Sequence, residues 1–186
     1  MLSLEERTQI KRLMQREIIP AVGCTEPVAV SLCTAKATET LGELPEKILV
    51  YLSANVLKNA MGVGIPGTGM TGLPIAIALG ALIGKSEYGL EVLQDLKPDD
   101  VRCGKKYIDE QRIQIALKPD VQDKLYIEVK CESYENSATA IIQGSHTRFV
   151  HIEKNGEVVF FENYTCNETK NELDTSLTFS KVYDFA

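Results

Sequence analysis

Apolar residues recur at helical spacing at Ile10, Leu13, Met14 and Ile18, behind Ser3 and Glu6, which stand at capping-box spacing. A first helix is therefore predicted, with Pro20 as its stop. Thr25 can cap a second helix that has Pro27 in its first turn, where no N–H partner is lost. That helix runs through Ala29, Leu32, Ala35 and Lys36 towards Gly42, a residue suited to the left-handed C-terminal position. From Ile48 to Val56 the period is two, which predicts a strand with Asn55 near its end and a polar loop after it. Thr71 or Gly72 then caps a helix with Pro74 in its first turn. Its stretch Leu73 to Ile83 is apolar on every side, so it is expected in the core or at an interface. A shorter helix is read near Tyr88–Leu93, and Asp99-Asp100 opens another that ends near Asp109.

From Arg112 the period changes to two. Ile113/Ile115/Leu117 and Leu125/Ile127/Val129/Cys131 read as strands around a turn at Pro119-Asp120. Thr139–Ile142, Phe149–Ile152 and Val158–Phe161 read as three more, the last two joined by Asn155-Gly156, a strong type I′ hairpin signal. The segment 163–174 is polar and reads as loop, and 177–186 turns amphipathic again. Neither repeat nor low-complexity tract is present. The order predicts an α+β fold of helices around a mixed sheet. Its N-terminal half is helical with one strand, and its C-terminal half is mostly antiparallel strands. One domain is expected over 1–186: helix-rich to 110, strand-rich over 111–162, and a tail with the start of a next helix over 163–186.

Composition narrows the function classes. A net charge of −6, with no run of Lys or Arg longer than two, argues against nucleic acid. The longest nearly apolar run, Leu73 to Ile83, is too short for a bilayer, which takes about 20 residues. The N-terminus is charged and lacks the apolar centre of a signal peptide. Five widely spaced cysteines, at 24, 33, 103, 131 and 166, form neither a disulfide framework nor a zinc motif. A reducing cytoplasm and a small-molecule partner are expected, without nucleic acid or membrane.

Candidate chemistry gathers in two loops, Pro20-Ala-Val-Gly-Cys24-Thr-Glu-Pro27 and the glycine-rich segment from Ser53 to Gly72. A thiol at a helix start feels unpaired N–H groups and the positive end of the helix dipole, which favour thiolate. Cys24 is thus a candidate base, nucleophile or soft-metal ligand; the plainer reading is a buried, inert cysteine. Cys33, Cys103, Cys131 and Cys166 are assigned to packing or surface. Glu26 is a candidate acid/base or ammonium ligand, although carboxylates also favour helix starts for dipole reasons alone. Gly67-Thr68-Gly69-Met-Thr-Gly72 fits G-x-G-x-x-G, but roughly ten residues separate it from the strand, so it does not read as a dinucleotide fingerprint. Gly80 to Ser86 falls one residue short of a P-loop, and Gly84 reads as a helix end. The glycines can let backbone N–H groups cradle a carboxylate, or simply make a tight connector. Lys58, flanked by Asn55 and Asn59, can bind a carboxylate or form a Schiff base; an exposed lysine is the plain alternative. His146 and His151 are the only histidines.

The strings E-I-I-P-A-V-G-C-T-E-P (17–27), S-A-N-V-L-K-N-A-M-G-V-G-I-P-G-T-G (53–69), G-L-P-I-A-I-A-L-G-A-L-I-G (72–84) and S-H-T-R-F-V-H-I-E-K-N-G (145–156) together resemble the L-cysteine desulfidase family. That family is similar to the iron–sulfur L-serine dehydratase α-chain group. The resemblance implies α,β-elimination of L-cysteine to pyruvate, ammonia and sulfide, supported by a [4Fe–4S] cluster without pyridoxal phosphate. It implies Cys24 as base or cluster ligand, with Glu26 and His146 as the other catalytic candidates. Thr25, Asn55, Lys58, Asn59, Gly67, Thr68 and Gly69 are implied as substrate-binding. The family's cluster cysteines lie in a later part of a chain about twice this long, and none here replaces them. An N-terminal domain, inactive alone, is therefore expected, with a C-terminal domain as partner in the same chain or a separate subunit and a homo-oligomer as a further possibility. L-serine dehydration and a non-catalytic small-molecule-binding domain are the alternatives; a pyridoxal enzyme on Lys58 lacks the phosphate loop such a site needs.

Overall fold

A computed structural model describes residues 2–18, 20–164 and 178–185. Helix α1 (Leu4–Glu17) opens with the capping box that the sequence predicts. Ser3 Oγ accepts from the Glu6 N–H at 3.1 Å, and Glu6 returns the bond to the Ser3 N–H at 2.9 Å. Together with the last helix, Phe179–Phe185, α1 belongs to a first compact unit drawn from both ends of the chain. Lys181 Nζ lies 3.2 Å from Glu6 Oε1, and the Arg7 guanidinium donates to the Asp184 carbonyl at 3.2 Å. Residues 165–177, including Cys166 and most of the expected polar tail, lie outside the described residues.

The second unit, Ala21–Tyr164, holds the sheet. Its elements run α2 (Thr25–Leu41), β1 (Lys47–Leu52), α3 (Ala54–Ala60), β2 (Gly64–Ile65), β3 (Met70–Thr71) and α4 (Leu73–Ile83). A 3₁₀ turn (Ser86–Glu91) and α5 (Pro98–Asp109) follow, then β4 (Ile113–Leu117), β5 (Tyr126–Glu132), β6 (Ser137–Gln143), β7 (Phe149–Lys154) and β8 (Glu157–Phe161). The six-stranded sheet is ordered β4-β1-β5-β6-β7-β8; β1 and β4 are parallel and every other pairing is antiparallel. The fold is α+β, as expected.

Alternation explains the layering. Ile48, Val50 and Leu52 of β1, Ile127, Val129 and Cys131 of β5, and Ala138, Ala140 and Ile142 of β6 are buried, while the residues between them are half exposed. Helix α2 lies over β5, β6 and β7, and α4 packs between α2 and α5. That position explains why α4 is apolar all round: Leu73 and every residue from Ile75 to Ala81 are buried inside this unit. Most of the stretch is core, the first of the two places expected for it. Each fully buried Leu or Ile contributes roughly 1.5–3 kcal/mol relative to exposure. Helices α2 and α4 meet closely because Gly80 has no side chain; a Cβ there would stand 2.5 Å from the Ser31 carbonyl oxygen.

Four local expectations are corrected. The strand predicted to reach Val56 ends at Leu52, because Ser53 caps α3 by accepting from the Val56 N–H at 3.4 Å and donating to the Lys124 carbonyl at 2.7 Å. Asn55, Lys58 and Asn59 therefore ride on a helix and not on a loop. Cys24 occupies the cap position of α2 without a side-chain cap bond, and Thr25 is the first helical residue. The glycine-rich segment contains a small antiparallel hairpin, Gly64↔Thr71 and Ile65↔Met70. The helix expected near Tyr88–Leu93 is the 3₁₀ turn, broken at Gly89. The Asn155-Gly156 turn has φ of 52° and 82°, the two positive values a type I′ hairpin requires. Among the described residues no helix is long and apolar enough to cross a membrane.

Candidate functional site

Gly23 brings the first loop against the hairpin. Its φ is +94°, and a Cβ there would sit 2.8 Å from Pro66 Cγ, so only glycine permits the approach. The Val22 N–H donates to the Leu90 carbonyl at 3.1 Å and fastens the loop on its other side. The chain then enters α2 with Cys24 exposed and Thr25 and Glu26 half-buried.

Three donors converge on the Glu26 carboxylate. The Cys24 thiol donates to Oε2 at 3.4 Å, the Thr25 hydroxyl donates to the same oxygen at 3.2 Å, and the Asn59 amide donates to Oε1 at 3.2 Å. Asn59 comes from α3, so one carboxylate ties the first loop to the helix after β1. Burial works to raise the Glu26 pKa, but its own backbone N–H and the three side-chain donors outweigh that, and the group is held below the usual carboxylate range. Glu26 is therefore an anion at neutral pH.

Cys24 behaves differently from the expectation drawn from its helix-start position. Burial, the hydrogen bond to Glu26 and the Glu26 charge together push its thiol above the ordinary value, and the nearby backbone N–H groups only partly offset them. Burial and the carboxylate two residues on both oppose the helix end, so the thiolate expected from position alone is disfavoured. His146, in the turn between β6 and β7, is half-buried. Burial lowers its pKa, the Glu26 charge pulls the other way, and the net shift is downward, so the ring is neutral at pH 7. That coupling sets His146 within the electrostatic reach of Glu26.

The remaining candidates divide. Asn55 and Asn59 stand one turn apart on the exposed side of α3. Lys58 is exposed and has no ion pair among the described residues. Gly67 and Gly69 are exposed with φ of +78° and +64°. Thr68 is buried, and its hydroxyl donates to the Ile65 carbonyl at 2.7 Å while accepting from the Met70 N–H at 2.9 Å. Its hydroxyl holds the hairpin turn together. Pro66 was not singled out by the sequence, although the glycine it packs against was visible at position 23.

Of the other described cysteines, two serve packing. Cys33 is buried and donates to the Ala140 carbonyl at 3.3 Å, with its thiol pushed well up by burial. Cys131 is buried beside Thr38 Oγ1 at 3.7 Å, and burial raises its thiol to about 12. Cys103 is exposed on α5. Among the described residues no three of His, Cys, Asp and Glu gather to hold a metal ion, and the four described cysteines are dispersed, so they do not by themselves fit a [4Fe–4S] cluster. His151 lies on β7 beside Glu153 at 3.3 Å and edge-on to Phe161 at 6.4 Å.

Comparison with known proteins gives no matching family model and no matching solved structure. Curated relatives do match. A UPF0597 protein of Bacteroides fragilis is 65% identical over 181 residues, covering 97% of this chain and 42% of the relative. A UPF0597 protein of Phocaeicola vulgatus is 60% identical over 188 residues, covering 100% of the chain and 43% of the relative. One from Porphyromonas gingivalis is 43% identical over 184 residues, covering 96% and 42%. The chain thus resembles UPF0597 proteins along its whole length and spans about 42% of theirs. These relatives carry that name and not the name of a desulfidase or a dehydratase. The functional assignment drawn from the earlier resemblance, an N-terminal part of an L-cysteine-eliminating lyase, is corrected on this finding, and function is argued from the site alone.

Proposed function

We infer that Cys24, Glu26, Asn59 and His146 form a site that recognises a small, amine-bearing molecule. The observation that carries this reading is the exposed-side carboxylate of Glu26, anionic and fixed by donors from two separate segments. A carboxylate so oriented, and charged at neutral pH, recognises an ammonium group through charge-assisted hydrogen bonds. Cys24, protonated, donates its hydrogen bond to that carboxylate and helps to fix its orientation. Neutral His146 offers a ring nitrogen that accepts a further hydrogen bond. Lys58 and Asn55, exposed on α3, suit the carboxylate of an amino-acid-like ligand.

The test is binding to the purified chain by calorimetry and thermal shift, with L-amino acids, 2-hydroxy acids and simple primary amines as probes. Amine-bearing probes are expected to bind, and Glu26→Gln to weaken them at least tenfold while the far-ultraviolet circular dichroism is unchanged. Equal binding by Glu26→Gln, or binding confined to the hydroxy acids, contradicts the reading.

A further inference from the structure

Strand β8 is the outermost strand of the sheet, next to β7 and with no strand on its other side among the described residues. Its sequence is Glu-Val-Val-Phe-Phe, and all five residues are exposed. Val158 is 53% exposed, Val159 64%, Phe160 43% and Phe161 67%, so apolar side chains reach solvent on both faces. Edge strands are normally blunted by lysine, proline or a cover. β8 contains neither residue, and α2 lies over β5, β6 and β7 without extending to it. A register shift opposite Ile152 and Glu153 leaves Val159 without a partner on β7, a partial protection of the edge. The opposite edge is unlike it: Ile113 and Ile115 of β4 are partly buried against the core and alternate with exposed Gln114 and Ala116.

The relatives supply the occupant. They match this chain over only about 42% of their length, so more than half of each relative is polypeptide with no counterpart here. A four-residue apolar edge that no described element covers is a surface whose burial by such polypeptide would be favourable. A second copy of β8 fits poorly. The strand begins with Glu157 and is followed by Glu162, so antiparallel self-pairing brings acidic ends close to one another in a chain already at −6.

We propose that β8 docks the polypeptide the longer UPF0597 relatives carry outside the matched stretch, which adds an apolar strand to this edge and covers Val158 to Phe161. The test expresses the unmatched stretch of the Bacteroides fragilis relative separately and mixes it with this chain. Size-exclusion chromatography with light scattering reads the stoichiometry, and calorimetry reads the affinity. A one-to-one complex is expected, weakened at least tenfold by the double variant Val159→Lys, Phe160→Lys. A control, Tyr134→Lys at a 91%-exposed turn position, is expected to bind as wild type. The β8 side chains are exposed, so the double variant is expected to keep the wild-type melting temperature, which separates lost docking from lost folding. Absence of a complex, a complex indifferent to the double variant, or a homodimer of this chain that the double variant dissolves would overturn the proposal.

Discussion

Glu26 and Cys24 set opposite protonation states two residues apart, and each makes a different demand on pH. A carboxylate whose folded pKa is depressed contributes stability that is present above the ordinary range near 4.3 and is lost as pH falls through its folded value. A thiol whose folded pKa is raised contributes stability that is present below about 8.5 and is lost as pH rises through its folded value. The pair is therefore most favourable between those limits, with the carboxylate charged and the thiol neutral. The residue types were legible in the sequence: Cys24, Glu26, Asn59 and His146 were all candidates. Their arrangement was not, because Asn59 reaches Glu26 across 33 positions and no local spacing encodes that bond. The charge on Cys24 was misjudged for a related reason. The helix-start effect falls off within a turn and competes here with a full negative charge in hydrogen-bond contact.

At the scale of elements, α2 and α4 cross closely at Gly80. Alanine at a helical glycine normally stabilises by about 1 kcal/mol. At Gly80 the sign reverses, since a Cβ would press on the Ser31 backbone carbonyl at 2.5 Å, which cannot rotate away. Gly80→Ala is predicted to destabilise by about 1–3 kcal/mol, the usual cost of overpacking, measured by urea or thermal denaturation; an unchanged or raised melting temperature would show that the helices separate freely. The elements themselves were readable where end signals or one period dominate, as at Pro27 and Gly42 of α2 and in β5 to β8. The reading failed at Ser53, where alternation continues by chance through Val56 while the serine begins a helix. It failed also in the glycine-rich segment, whose two-residue strands are too short to show a period. The parallel pairing of β1 with β4 joins residues such as Ile48 and Ile113, and such non-local pairing leaves no mark on either strand's own pattern.

At the scale of the molecule, the core cluster among the described residues lies between Ala21 and Tyr164, from Val28 on α2 to Ile142 on β6. Residues 21–164 expressed alone are predicted to unfold cooperatively with the sheet signature intact; a molten, non-cooperative product would mean that the terminal segments are needed to complete the core. Everything that holds the candidate site, including α2, α3, the hairpin and the β6–β7 turn, lies in that same unit. The account of function rests on one electrostatic claim: Glu26 is the anion and Cys24 keeps its proton. The direct measurement is a pH titration of Cys24 by NMR of chain labelled with ¹³C at cysteine Cβ, assigned with Cys24→Ser and repeated in Glu26→Gln. The account predicts a Cys24 midpoint above the ordinary thiol value in the wild type and a lower one once the Glu26 charge is removed. A wild-type midpoint below 7, or one indifferent to Glu26→Gln, would contradict it.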